Sequence, residues 1–187
     1  ISEEQYKYAV DRIEKAGLSD RVTFKLQDYR DETGQYDGIA SIEMFEAVGQ
    51  KYWPTYFSSV KNCLKPGKNA TLQIITVEDS RWEVYNRGVD FIQKYIFPGG
   101  MLPSPSVLRQ EIAKAGLDVK QSIEFAESYS QTLRRWHETF NEKWDQVAKL
   151  GFDDRFRRMW NFYLTSCAST FHGGQCDVTQ ITITRPA

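Results

Sequence analysis

Short strand-like runs and amphipathic helical stretches take turns along most of this chain, and that order leaves few folds open. Val22-Thr23-Phe24-Lys25-Leu26 alternates with a period of two and reads as a strand. Gly38-Ile39-Ala40-Ser41-Ile42, inside residues 37–44, is a short apolar run suited to a buried parallel strand. Residues 70–77, 117–125 and 178–184 supply the other strands. Between them lie helices. Ser2 and Gln5 fit a capping box ahead of Tyr6, Val10 and Ile13, and Gly17 can end that helix. Residues 52–64 place Trp53, Tyr56, Phe57, Val60 and Leu64 on one stripe, with Pro66-Gly67 as the expected stop. Ser104-Pro105 opens a further helix running to Gly116. The pattern predicts one α/β domain over residues 1–187.

Two stretches break the alternation. Residues 82–100 form an aromatic helical segment ending in Phe97-Pro98-Gly99-Gly100. Residues 129–172 read as two helices, one with Leu133, Trp136, Phe140, Trp144 and Val147 on a face, the other with Phe156, Met159, Trp160, Tyr163, Leu164, Cys167 and Phe171. Such stripes laid on a sheet could roof an apolar pocket; plain core packing is the other explanation. Aromatic residues make up 14% of the chain, enough for either. A formal net charge of −1 gives no field that would draw the chain to nucleic acid. No apolar run approaches the roughly 18 residues of a membrane span. Cys63, Cys167 and Cys176 lack metal-site spacing, so no metal is expected and a reducing cytoplasm is the predicted compartment.

Several strings carry a closer likeness: Leu26-Gln27-Asp28-Tyr29-Arg30-Asp31, Ser41-Ile42-Glu43-Met44-Phe45-Glu46-Ala47-Val48-Gly49, Tyr95-Ile96-Phe97-Pro98-Gly99-Gly100, Tyr129-Ser130-Gln131-Thr132-Leu133, and Arg155-Phe156-Arg157-Arg158-Met159-Trp160. Over essentially its whole length the chain resembles the cyclopropane fatty-acyl-phospholipid synthase (mycolic acid cyclopropane synthase-like) family. The resemblance implies a Rossmann-like, S-adenosylmethionine-dependent methyltransferase fold, with helical insertions at 82–100 and 129–172 covering an acyl-chain pocket. It implies methyl transfer to the cis double bond of a phospholipid acyl chain, followed by proton loss and ring closure. Bicarbonate is the bound base that the family suggests.

Residue by residue, the resemblance makes Glu46 the first catalytic candidate, placed to hold that anion and to oppose a carbocation. Tyr129 would donate its phenol to the same anion, and Ile75 a backbone contact. Cys167 matches a family cysteine, although a thiol among Trp and Phe is more often an inert small hydrophobe. Gln73 stands where the family commonly has His; glutamine donates a hydrogen bond but cannot take a proton, which makes C-methylation without ring closure a live alternative. For the cofactor, Asp28 would accept the adenine amino group, Gln27 would lie along the ring, and Ser2 and Gln5 would meet the ribose side unless they serve only as caps.

The family's glycine-rich loop and its acidic ribose-binding position do not occur in this chain, which opens with the helix that should follow the second strand. Of the order 3-2-1-4-5-7-6 implied by the resemblance, strands three to seven are expected and the first two are not. Strand three should therefore detach or re-pair, unless a missing N-terminal segment or a homo-oligomer partner completes the sheet. Peripheral contact with the inner face of the membrane is expected; Arg134, Arg135, Arg155, Arg157 and Arg158 could touch lipid phosphates, solvated helix faces being the more common explanation. A small-molecule methyltransferase and a degenerate, non-catalytic lipid-binding fragment remain as other readings.

Overall fold

The structure, a computed structural model, describes residues 2–187. Helix α1 spans Glu3–Lys15, and the Ser2 hydroxyl accepts the Gln5 N–H at 3.3 Å, so the Ser2 half of the capping box forms. No residue of α1 is buried. Strand β1 (Tyr36–Ile42) is followed by α2 (Trp53–Cys63), which passes directly into β2 (Leu64–Val77). Pro66 and Gly67 therefore lie inside a strand and do not stop the helix. The transition works because Arg185 caps the helix end, donating to the carbonyls of Lys61 (3.0 Å) and Leu64 (2.8 Å). Gly67 adopts φ +72° there and gives its N–H to the Arg185 carbonyl at 2.8 Å.

After β2 come α3 (Asp79–Arg87), α4 (Phe91–Tyr95), α5 (Pro105–Lys114), β3 (Asp118–Glu124), α6 (Ala126–Glu142), α7 (Trp144–Ala148), α8 (Asp154–His172) and β4 (Cys176–Thr184). The predicted pair of helices over 129–172 is thus three, with a break at Lys143. The sheet runs β1-β2-β4-β3, with β1 parallel to β2 and the other pairs antiparallel. That is the 4-5-7-6 side of the expected order.

Strand three is the correction. Residues 22–26 form no strand; Phe24 and Leu26 are exposed. Their alternation is genuine, but a strand exists only with a ladder partner. Among the described residues β1 pairs with β2 alone, so its other edge is open. The detached outcome is the one observed.

Each face of the sheet carries its own core. Ala70, Leu72 and Ile74 of β2, with Ile181 and Ile183 of β4, pack against α2 and α5 through Trp53, Tyr56, Phe57, Leu108 and Ile112. Ile75 and Val178 lie on the opposite face, against Leu133 of α6 and Leu164, Ala168 and Phe171 of α8. The period of two in β2 therefore sends Gln73 and Ile75 toward the α6–α8 side. Trp136, expected on the packed stripe of α6, is exposed; Ser130 and Leu133 are that helix's buried positions.

Candidate active site

The carboxyl ends of the parallel strands β1 and β2 gather most of the expected catalytic residues. β1 ends at Ile42, and the chain then turns through Glu43, which holds φ +50° and is the one non-glycine residue with positive φ among those described. The Glu43 N–H bonds the Gln73 carbonyl at 2.9 Å, fixing that turn to the neighbouring strand. A short 3-10 turn, Phe45–Ala47, follows. Phe45 is fully buried against Trp53, Tyr56 and Phe57, with ring centroids 5.0 to 5.3 Å apart. This aromatic anchor fixes the backbone of the turn that carries Glu46.

Glu46 Oε1 accepts the Ile75 N–H at 2.6 Å, beyond the point where β1 stops pairing with β2. Glu46 Oε2 is buried with no partner among the described residues. Burial pushes the Glu46 carboxyl above its ordinary range, and the nearby Glu43 charge pushes it the same way. A buried bare oxygen is costly unless something donates to it, so the site is built for one more donor.

Beside it lies a polar cluster on the α6–α8 face. Gln73 donates through Nε2 to Glu43 Oε1 at 2.7 Å and to the Tyr129 hydroxyl at 3.0 Å. Tyr129, in the first turns of α6, donates its own O–H to the same Glu43 oxygen. Gln180, directly across the β2–β4 ladder, donates to Gln73 Oε1 at 2.8 Å. That bond fixes which way the Gln73 amide faces. Phe125 and Phe171 pack edge-on around Tyr129. The Cys167 thiol sits on the inner face of α8, pushed up to about 12 by burial, and Cys176 is pushed up to about 11 for the same reason. Neither is poised as a thiolate nucleophile.

Glu46, Ile75, Gln73 and Tyr129 thus come together, but not as one anion cradle. The Ile75 N–H serves Glu46, whereas Tyr129 and Gln73 serve Glu43. Glu43 and Gln180 escaped the sequence reading. Glu43 stands in the motif string, but its left-handed backbone has no signature in a residue that rarely adopts one. Gln180 could have been found as a polar residue on the packed side of an otherwise regular alternating strand.

The cofactor candidates lie elsewhere. Asp28 caps the turn Tyr29–Asp31 and is gripped by Arg30, through Nε at 2.9 Å and Nη2 at 2.7 Å, which holds its carboxyl down to about 2. Oδ1 also takes the Arg30 backbone N–H, so Oδ2 keeps a free lone pair. Tyr29 packs edge-on to Tyr56 at 5.9 Å, and Tyr56 bonds the Ser41 hydroxyl at 2.7 Å, tying this turn to β1. Gln27 reaches Glu32 at 3.4 Å. The Ser2 hydroxyl is engaged in the helix cap by the Gln5 backbone N–H. Among the described residues no His/Cys/Asp/Glu group could hold a metal ion.

The mycolic acid cyclopropane synthetase family model matches residues 1–181. The chain belongs to that family. Within the cyclopropane synthetase family and its relatives, the tuberculostearic acid methyltransferase UfaA1 of Mycobacterium tuberculosis is 40% identical over 186 residues, covering 99% of this chain and 44% of the relative. The cyclopropane-fatty-acyl-phospholipid synthase of Escherichia coli is 37% identical over 186 residues, 99% of this chain and 46% of its own length. The chain therefore spans somewhat less than half of these curated relatives. Among solved structures, mycolic acid cyclopropane synthase CmaA1 complexed with SAH and CTAB superposes with a TM-score of 0.78 at 25% identity, over 91% of this chain and 65% of that one. The cyclopropane synthase MmaA2 from Mycobacterium tuberculosis gives 0.79 over 92% of this chain and 65% of that one, at 24% identity. The fold is that of S-adenosylmethionine-dependent methyltransferases.

Proposed function

We propose that this chain is the substrate side of an S-adenosylmethionine-dependent methyltransferase that modifies the cis double bond of lipid acyl chains. The observation that carries the reading is the half-bonded, buried Glu46 carboxylate at the carboxyl ends of β1 and β2, facing a polar cluster walled by aromatic rings. In open α/β sheets ligands bind at that end. The cofactor would supply an electrophilic methyl group. Of this chain's residues, Asp28 Oδ2 has the free lone pair to accept an adenine N–H, which fits the adenine edge.

Delivery of the methyl forms a C–C bond at one alkene carbon and leaves its neighbour cationic. Glu46 opposes that charge, and the faces of Tyr163 and Phe171 lie on the same side of the sheet. One proton must then leave. Its C–H electron pair closes the three-membered ring or, after a hydride shift, forms a methylene. One relative is named a tuberculostearic acid methyltransferase and another a cyclopropane-fatty-acyl-phospholipid synthase. Gln73, its amide oxygen held by Gln180, cannot take up the proton that either outcome releases, so another group must accept it.

We propose a peripheral location on the inner face of the membrane; the exposed rings of Phe97, Tyr95 and Phe162 support contact with lipid. Arg157 does not serve that contact: it stacks on Trp144 and bonds Asn141. We propose that the open edge of β1 is where further polypeptide, of this protein or of a second copy, completes the sheet and the cofactor site.

The test is mass spectrometry of lipids from bacteria that lack such enzymes and express the complete protein. A mass gain of one CH2 in unsaturated chains supports the reading; loss or retention of a C=C then separates ring from methylene. Unchanged lipids, with a soluble protein present, would sink it.

A further inference from the structure

Hydrogencarbonate, the base that the family resemblance implies, does not fit this site. Its expected donors are already committed. The Ile75 N–H is taken by Glu46, and Gln73 and Tyr129 both donate to Glu43 Oε1. The charge is wrong as well. Glu43 lies close enough to Glu46 to raise that group's proton affinity. A further anion set between two carboxylates would be repelled by both.

Gln73 and Tyr129 donate instead to a carboxylate, with the same charge and the same planar pair of oxygens as hydrogencarbonate. Its placement is costly. Glu43 holds φ +50°, a conformation that glycine adopts freely and that disfavours other residues by roughly 1–2 kcal/mol. The backbone is held there by the Glu43 N–H bond to the Gln73 carbonyl. The side chain is held by two donors on one oxygen, and one of these, Gln73, is itself fixed by Gln180. Glu43 Oε2 carries no such bond among the described residues, and the residue is exposed in this chain. So the cluster orients a carboxylate and leaves one of its oxygens available.

We propose that Glu43 is the proton-accepting base of this site, built into the chain in place of a dissolved anion. The inference rests on the methyl-transfer reading above. After the methyl group has been delivered, a C–H bond next to the cationic carbon breaks. Its electron pair forms the new C–C bond or the methylene double bond, and the proton passes to Glu43 Oε2. The acid neutralises the carboxylate, the hydrocarbon product is neutral, and no oxidant or reductant is consumed. A proton beside a carbocation is so acidic that base strength is not limiting; position is. Tyr129 and Gln180 are positioning residues in this scheme.

The experiment uses the complete protein and has two independent readouts. One is saturable binding of [13C]hydrogencarbonate, followed by NMR without cofactor or lipid. The other is turnover on vesicles of cis-unsaturated phospholipid in carbon dioxide-stripped buffer, with and without added hydrogencarbonate. The wild type is expected to bind no hydrogencarbonate and to turn over equally in both buffers. Glu43→Gln should fold and lose about 100-fold or more in turnover, the scale of a general base. Glu43→Gly should be accepted readily at φ +50°, open the seat, bind the labelled anion saturably and regain turnover as hydrogencarbonate is added. Saturable binding by the wild type, failure of the glycine variant to bind, or wild-type turnover in Glu43→Gln would each overturn the proposal. If no lipid is methylated by any form, the functional reading fails, and the binding measurements still judge whether Glu43 fills the seat.

Discussion

At the scale of single residues, Glu46 couples proton affinity to stability. Burial raises its folded-state proton affinity above the ordinary glutamate value of 4.5, so the native state holds the proton more tightly than the unfolded chain. Stability then falls as pH rises from the unfolded value through the folded one, and stays lower above it. Glu46→Gln keeps an acceptor for the Ile75 N–H and removes the charge. Its melting temperature should match the wild type below about pH 4.5 and exceed it progressively above, as thermal melts across pH would report. An equal difference at every pH would show that the carboxyl is not desolvated. Glu46 and Tyr129 stand in the motif strings, whereas Gln73 and Ile75 come only from the strand position that the resemblance implies. Their bonding was not legible. Which donor serves which carboxylate depends on the turn at Glu43, and a left-handed glutamate leaves no trace in hydropathy or spacing.

Among elements, α6 and α8 decide whether the site has a wall. Asp153 caps α8 by accepting the Phe156 N–H at 2.8 Å. Asp153→Ala should cost about 1 kcal/mol, read as a lowered denaturant midpoint. Leu164 is almost wholly buried between α8 and α6, and Leu164→Ala should cost about 2–5 kcal/mol. If the two helices close the site, this variant should also loosen Tyr129, seen as increased solvent quenching of its fluorescence or NMR exchange of its ring. Helical periodicity placed α8 but ran the first helix through the break at Lys143, so that Trp144 and Val147 belong to α7. It misplaced Trp136, which is exposed although it lies three residues from Leu133. The inward stripe of α6 follows Ser130 instead, whose hydroxyl bonds the Ala168 carbonyl at 2.9 Å and draws the helices together there. Small polar residues at close helix contacts do not register in a hydrophobic pattern.

For the molecule as a whole, stability should grade outward from β2. That strand is paired on both sides over much of its length, whereas β1 has one neighbour and residues 22–26 have none. Native-state hydrogen exchange of this chain should protect β2 and β4 most, the β1 amides bonded to β2 less, and residues 22–26 hardly at all. Protection of residues 22–26 equal to that of β1 would mean that they pair after all. The sequence order announced the sheet because four of its strand-like runs find each other within the chain. It overstated the fifth because alternation reports which face a residue prefers and says nothing of whether a neighbouring strand exists.

The turn at Glu43 has an evolutionary corollary. Every glutamate codon becomes a glycine codon by changing its middle base, and glycine is the residue that the φ of +50° suits best. A single point mutation would therefore relax the backbone and remove the resident carboxylate together, with no intermediate that folds badly. Lineages on either side of that mutation could exchange a self-contained base for a borrowed one without crossing a valley in stability.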